Sequence, residues 1–141
     1  MPLTYPSIPQ HLQKWAMEQP MFFTATAPLH GNHINVSPKG VPGKTFKIIN
    51  GNRAIYLDMA GSGSETVSHI YENGRVTLMF CSFDANIPRI VRLYCVGHIT
   101  EFDNPNFGSM LEGIGLEKVP GMRAIVVLDI WKVCSIIHTF V

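Results

Sequence analysis

Short apolar or alternating runs, closed by glycine, proline or asparagine, are the dominant pattern along this chain of 141 residues. Residues 21–27 are rich in aromatic and β-branched side chains and end at Pro28, which reads as a strand. Residues 33–37 alternate polar and apolar, as a half-buried strand does. Residues 37–43 hold two prolines and two glycines and read as a loop. Residues 46–49 and 53–58 look like a hairpin joined through Asn50-Gly51-Asn52, because Asn-Gly is a strong hairpin signal. Further strands are predicted over 75–81, 90–102 and 122–133.

Helical spacing shows in three places. Leu12, Trp15, Ala16 and Gln19 follow Pro9, which suits a first turn, and Pro20 stops the run. A glycine-rich loop at residues 60–64 opens a second helix over 65–71, with Val67, Ile70 and Tyr71 as its apolar face and Asn73-Gly74 as its end. A third, short helix is predicted over 107–114. Strands joined by tight turns with so few helices point to a barrel or sandwich. A parallel sheet would need a crossover helix after nearly every strand. There are no repeats, and the length suits one domain over residues 1–141.

Composition narrows the function classes. Hydrophobic residues make up 46% and charged residues 15%, which argues against disorder and favours a covered subunit interface. With a net charge of +1 and no basic stripe, nucleic acid is not expected as a partner. Cys81, Cys95 and Cys134 lie far apart in apolar stretches, so buried thiols in a reducing compartment are expected rather than disulfides or a zinc site. No apolar run approaches the roughly 20 residues that span a bilayer, and the N-terminus lacks the build of a signal peptide. The expectation is a cytoplasmic protein without a membrane segment.

Three stretches could carry chemistry. Gly61-Ser62-Gly63-Ser64-Glu65-Thr66 places free backbone N–H groups and the hydroxyls of Ser62, Ser64 and Thr66 at a helix start, a ready anion site. Read alone, the same loop is first a turn with Ser64 as N-cap, and only second a phosphate site. It ends neither as a P-loop nor with Rossmann spacing. Asn35-Val36-Ser37-Pro38-Lys39-Gly40 offers a hydroxyl and an ammonium at a strand end, or simply a solvated turn lysine. In residues 88–94, Arg89 and Arg92 point to opposite faces of a strand. Arg92, set among Val91, Leu93 and Tyr94, is the better candidate for an enclosed site. The six histidines are scattered. His30 and His33 lack evident acidic or cysteine partners, His69 is read as a surface residue, and no metal site is expected. Asp58 and Glu65 bracket the glycine loop and are read as loop hydrogen-bonders.

The order of these stretches, from the Phe22-Phe23-Thr24-Ala25-Thr26 strand through Asn35 to Gly40, Tyr56-Leu57-Asp58, the glycine loop, His69-Ile70 and residues 73–80 to 89–94, resembles the pyridoxamine 5′-phosphate oxidase-like family of FMN-binding proteins. The resemblance covers residues 20–133. It implies a mainly β (α+β) fold, a six-stranded split β-barrel with short flanking helices, and a homodimer with FMN in clefts at the interface. Carried over by position, Asn35, Val36, Ser37 and Lys39 would run beside the isoalloxazine edge and ribityl chain. Ser62, Ser64 and Thr66 would lie near the phosphate, and Arg92 near where the partner subunit reaches the flavin.

Two departures from the oxidases bear on activity. Glu65-Thr66 stands where they place adjacent basic residues, and the chain stops at Val141 without their substrate-gripping Trp and Arg segment, as if shortened at the C-terminus. Vitamin B6 oxidation is therefore not the expected reaction. The readings that follow are an FMN-dependent oxidoreductase of a small-molecule substrate, a split-barrel dimer holding flavin only as a ligand or having lost it, and a plain β-barrel interaction module.

Overall fold

A computed structural model of the chain describes residues 1–61, 63–82 and 86–137. Its elements, in chain order, are β1 (Leu3–Tyr5), α1 (Gln10–Met17), β2 (Phe22–Thr26), β3 (Asn35–Lys39), β4 (Phe46–Asn50), β5 (Arg53–Met59), α2 (Ser64–Asn73), β6 (Arg75–Cys81), β7 (Arg89–Glu101), α3 (Phe107–Gly113) and β8 (Met122–Ile137). The strands pair antiparallel in the order β3-β2-β6-β7-β8-β5-β4, with β1 added to β8.

The period-two pattern explains which face turns inward. Phe22, Thr24 and Thr26 of β2 are buried, as are Val76, Leu78 and Phe80 of β6 and Val91, Leu93 and Cys95 of β7. The apolar ones among these side chains meet those of β4 and β5 in one core. Phe22 and Phe46 have ring centroids 5.0 Å apart, although β2 and β4 are far apart in the strand order. The sheet therefore curls until its two ends face each other and closes by side chains, not by backbone pairing. That is a split barrel. A second cluster, built on Ile55, Leu57, Phe107, Leu111 and Ile125, seats α3 against β5 and β8.

The fold class expected from the sequence stands, with eight strands among the described residues rather than six. The three-residue β1 is too short to carry a pattern of its own and exists by pairing with β8. Residues 37–39, read as loop, are strand: Pro38 is opposite Phe23, and β3 is an edge strand, where a missing N–H costs no ladder bond. β8 runs to Ile137, beyond the expected end at 133. Gly63, not Ser64, occupies the N-cap of α2. Gly74, at φ 71°, ends that helix in the left-handed conformation, donating its N–H to the Ile70 carbonyl at 2.9 Å. Tyr71 is exposed and donates to Glu101 Oε1 at 2.8 Å instead of joining the core. Among the described residues, no helix is long and apolar enough to cross a membrane.

All three cysteines are free thiols, but only Cys95 is buried; Cys81 and Cys134 are half-buried. Burial, with a smaller push from Asp129, raises the Cys95 thiol to about 12. At pH 8 Cys95 should not react with a thiol reagent in the native protein and should become reactive on unfolding, as counted by thiol titration with and without denaturant. Phe22 is fully buried among Phe46, Tyr56 and Phe80. Phe22→Ala is expected to cost about 3–5 kcal/mol, read from the urea unfolding midpoint.

Candidate functional site

The chemistry-bearing residues converge where β5 runs into the glycine loop and α2. Asp58, near the end of β5, has no exposed surface. An uncompensated carboxylate there would cost several kcal/mol. Two cations compensate it. Arg123 donates from Nε to Asp58 Oδ2 at 2.6 Å, and Lys39 Nζ lies 3.8 Å from Oδ1. Arg123 Nη2 is also 2.6 Å from Oδ2, but off the line a hydrogen bond needs. Local register aims Arg123 inward: Asp58 pairs with Ala124 and Met59 with Met122, so Arg123 is the unpaired residue of a bulge.

Gly63 sits directly on this cluster. A Cβ there would meet Asp58 Oδ1 at 2.7 Å, Lys39 Nζ at 3.0 Å and Arg123 Nη2 at 3.2 Å. Its φ of −69° is ordinary, so the requirement is for space, not for a special backbone angle. Among the described residues no side chain caps α2, which leaves the N–H groups of its first turn without that partner there. Beside the turn is a cleft of about 310 Å³ whose walls include Lys39, Thr45, Tyr56, Ala60, Gly61 and Gly63. Two buried oxygens at this place, Tyr56 Oη and Asp58 Oδ1, have no hydrogen-bond partner among the described residues. Burial above all, then the Asp58 charge, pushes the Tyr56 phenol well above its ordinary range, against a smaller opposite pull from Arg123. Tyr56 is therefore a neutral donor near neutral pH.

A hydrogen-bonded set lies next to the cleft. Asn35 donates through Nδ2 to Thr66 Oγ1 at 2.9 Å and to Thr26 Oγ1 at 3.1 Å, and Ser37 donates to Asn35 Oδ1 at 3.2 Å. Thr26 Oγ1 is also 2.9 Å from His69 Nδ1. Thr66 is completely buried, so its described partner is Asn35. Ser64 is exposed at the first position of α2. Ser62 lies outside the described residues.

Val36 and Arg92 belong to the other face of the sheet. Strand register sets up one row of Pro38, Phe23, Met79, Arg92 and Cys134, and a second of Val36, Ala25, Thr77, Tyr94 and Lys132. Both rows are opposite to buried Phe22, Leu78 and Leu93. Within one chain the sheet separates Val36 and Arg92 from Asn35, Ser37 and Lys39. This outer face carries its own cleft, about 360 Å³, with Ala25, Ile34, Arg75, Tyr94 and Trp131 in its walls.

Four residues, Arg123, His69, His33 and Asp58, differ from what the sequence led us to expect. Arg123 could have been flagged by the reasoning applied to Arg92, a cation on an otherwise apolar strand. His69 was assigned to the surface and is buried, because α2 packs over β2 and brings Thr26 to its ring. His33, read as lacking an acidic partner, meets Glu65 at 2.8 Å. Asp58 is an ion-paired core residue rather than a loop hydrogen-bonder.

No family model matches the chain. Over 133 residues, 94% of its length, the chain is 47% identical to the pyridoxamine 5′-phosphate oxidase family protein ustO of Aspergillus flavus. It spans about half of that relative, 53%. Among solved structures, a Lactobacillus delbrueckii protein named for a proposed pyridoxamine 5′-phosphate oxidase activity superposes with a TM-score of 0.71 at 20% identity, covering 94% of this chain and 97% of that one. The FAD-binding protein of Mycobacterium smegmatis superposes at 0.64 and 11% identity, over 96% and 99%. That of Mesorhizobium loti does so at 0.62 and 9%, over 99% of both chains. These structures share the split-barrel fold.

The close approach at Gly63 yields a direct test. Gly63→Ala should push the glycine turn off the Asp58 cluster and destabilise the protein by about 1–3 kcal/mol, the usual range for overpacking, seen as a lower unfolding midpoint. Gly108→Ala, inside α3 where a Cβ meets nothing within 4 Å, is the control that should leave the midpoint unchanged or raise it slightly.

Proposed function

The chain belongs to the pyridoxamine 5′-phosphate oxidase-like family, and from that premise we propose that it binds a flavin, FMN, and serves as an oxidoreductase acting on a small molecule. The observation that carries this reading is the glycine-loop cleft. It combines an uncapped helix start, two cations against one buried carboxylate, and a buried tyrosine hydroxyl without a partner. Helix-start N–H groups and a net positive charge suit a phosphate monoester. Lys39 and the Tyr56 hydroxyl supply further donors, and Gly63 leaves room where any side chain would intrude. Bound FMN would supply the redox chemistry, while the protein's part is binding, orientation and hydrogen bonding to the ring.

Asn35, held by Thr26 and Thr66, is suited to presenting a fixed amide edge to a heteroaromatic ring. Arg92 cannot join it within one chain. We therefore extend the proposal to a homodimer joined through the outer sheet face, in which Arg92 and Val36 serve the flavin held by the partner. The apolar character of that face supports this: Val36 is 61% and Trp131 60% exposed. Glu65 in the first turn of α2, where the oxidases carry basic residues, favours a substrate other than a vitamin B6 phosphate. It also sustains a second reading, in which flavin is held as a ligand without turnover.

Adding FMN to the purified full chain should give a protein-bound flavin spectrum and quench flavin fluorescence, with a dimer by sedimentation. Lys39→Gln and Arg123→Gln should each weaken FMN binding by at least about tenfold, or 1.4 kcal/mol. A chain that takes up no flavin sinks the proposal. Bound flavin that neither NADH nor NADPH reduces supports the ligand reading over the enzyme.

A further inference from the structure

We propose that His33, Glu65 and His69 form a binding site for a single zinc-class divalent cation. This inference does not depend on the flavin reading. Its donors come from separate segments: His33 from the loop before β3, and Glu65 and His69 from α2. The two helix residues are four positions apart and so share one face. One donor atom of each lies within 4.8 Å of the others. Glu65 Oε1 is 2.8 Å from His33 Nε2 and 3.9 Å from His69 Nε2, and the two imidazole centroids are 5.7 Å apart.

Ligands of a tetrahedral zinc ion, with bonds near 2.0–2.1 Å, stand about 3.4 Å from one another. The observed contacts straddle that value. The His33–Glu65 contact has to open slightly and the longer spans have to close. The side chains that must move are free to do so, since His33 and Glu65 are 61% and 46% exposed.

His69 is the fixed member. Its side chain is only 8% exposed, and its Nε2 is too far from Glu65 for a hydrogen bond. Its Nδ1 is 2.9 Å from the Thr26 hydroxyl, which Asn35 also contacts. With the proton on Nδ1 and donated to Thr26, Nε2 keeps its lone pair for an ion. That is the tautomer a buried metal-binding imidazole takes from its outer partner. Two imidazoles and one carboxylate match the donor preference of zinc and leave a fourth position open, as in sites with three protein ligands. The positive end of the α2 dipole opposes a cation here, and the Glu65 carboxylate offsets it.

The test uses the full chain without an affinity tag, dialysed against chelator, measured both without flavin and after FMN addition. Zn²⁺ is titrated by calorimetry and Co²⁺ by visible absorption. The expected result is one ion per chain, with cobalt bands of a four-coordinate nitrogen and oxygen site. His33→Ala and Glu65→Gln change exposed residues, so folding should survive, and each should weaken Zn²⁺ binding at least about tenfold. His30→Ala, a neighbouring histidine outside the cluster, should leave binding unchanged. The proposal is overturned if the unsubstituted chain takes up no ion, or if His33→Ala and Glu65→Gln bind it as tightly as the parent. Failure to bind FMN in the same samples bears only on the flavin reading.

Discussion

The split in this barrel is held from two sides, and the polar side depends on one carboxylate. Asp58 has no solvent to stabilise its charge, so the chain must bring it cations. Arg123 comes from the adjacent strand β8, but Lys39 comes from β3, at the far end of the strand order. The ion cluster therefore ties together two stretches of sheet that share no backbone ladder. The contact between Phe22 and Phe46 does the same by packing. Only because both closures hold does the glycine turn lie between a charged wall and a helix start.

Most of the architecture was legible because strand burial follows the alternation of side chains. β2, β6 and the hairpin of β4 and β5 fall almost where the pattern places them. The misreadings share a cause, in that the deciding contact is remote in sequence. Pro38 argued for a loop until β3 proved to be an edge. His69 looked like a polar helix residue, and only the docking of α2 on β2 buries it against Thr26, 43 positions away. His33 had no acidic neighbour along the chain, and Glu65 reaches it from 32 positions away. Arg123 is an isolated cation on an apolar strand, but its aim depends on a bulge in the β5–β8 register. The glycine loop stood out early because its chemistry is local.

Alternation also divides a motif that looks continuous in sequence. Asn35, Ser37 and Lys39 share one face of β3, while Val36 and Pro38 share the other. The sheet thus parts the side chains of Asn35 and Ser37 from that of Val36, although Pro38 borders the glycine-loop cleft beside Lys39. The outer set continues across the sheet through Phe23 and Met79 to Arg92. A second copy packed on that face, as proposed, would turn this division into a use for both sets. The inner residues would serve the cofactor of their own chain and the outer ones that of the partner.

The first two turns of α2 carry several of these obligations at once. Gly63 fits against the Asp58 cluster, Glu65 and His69 face His33, and Thr66 holds Asn35. A helix moves as a rigid unit over so short a span, so the contacts cannot shift independently. His33 is two residues before Asn35, and an ion fixing His33 to α2 would restrain the start of β3 on the side where Asn35 is already tied to Thr66. Any effect of the proposed ion on flavin affinity would have to be matched by an equal effect of flavin on ion affinity, because coupling between two binding equilibria is reciprocal. The Asn35–Thr26–His69 hydrogen bonds supply a continuous physical route for that coupling, running from the proposed ring-facing amide to the one metal donor that cannot move.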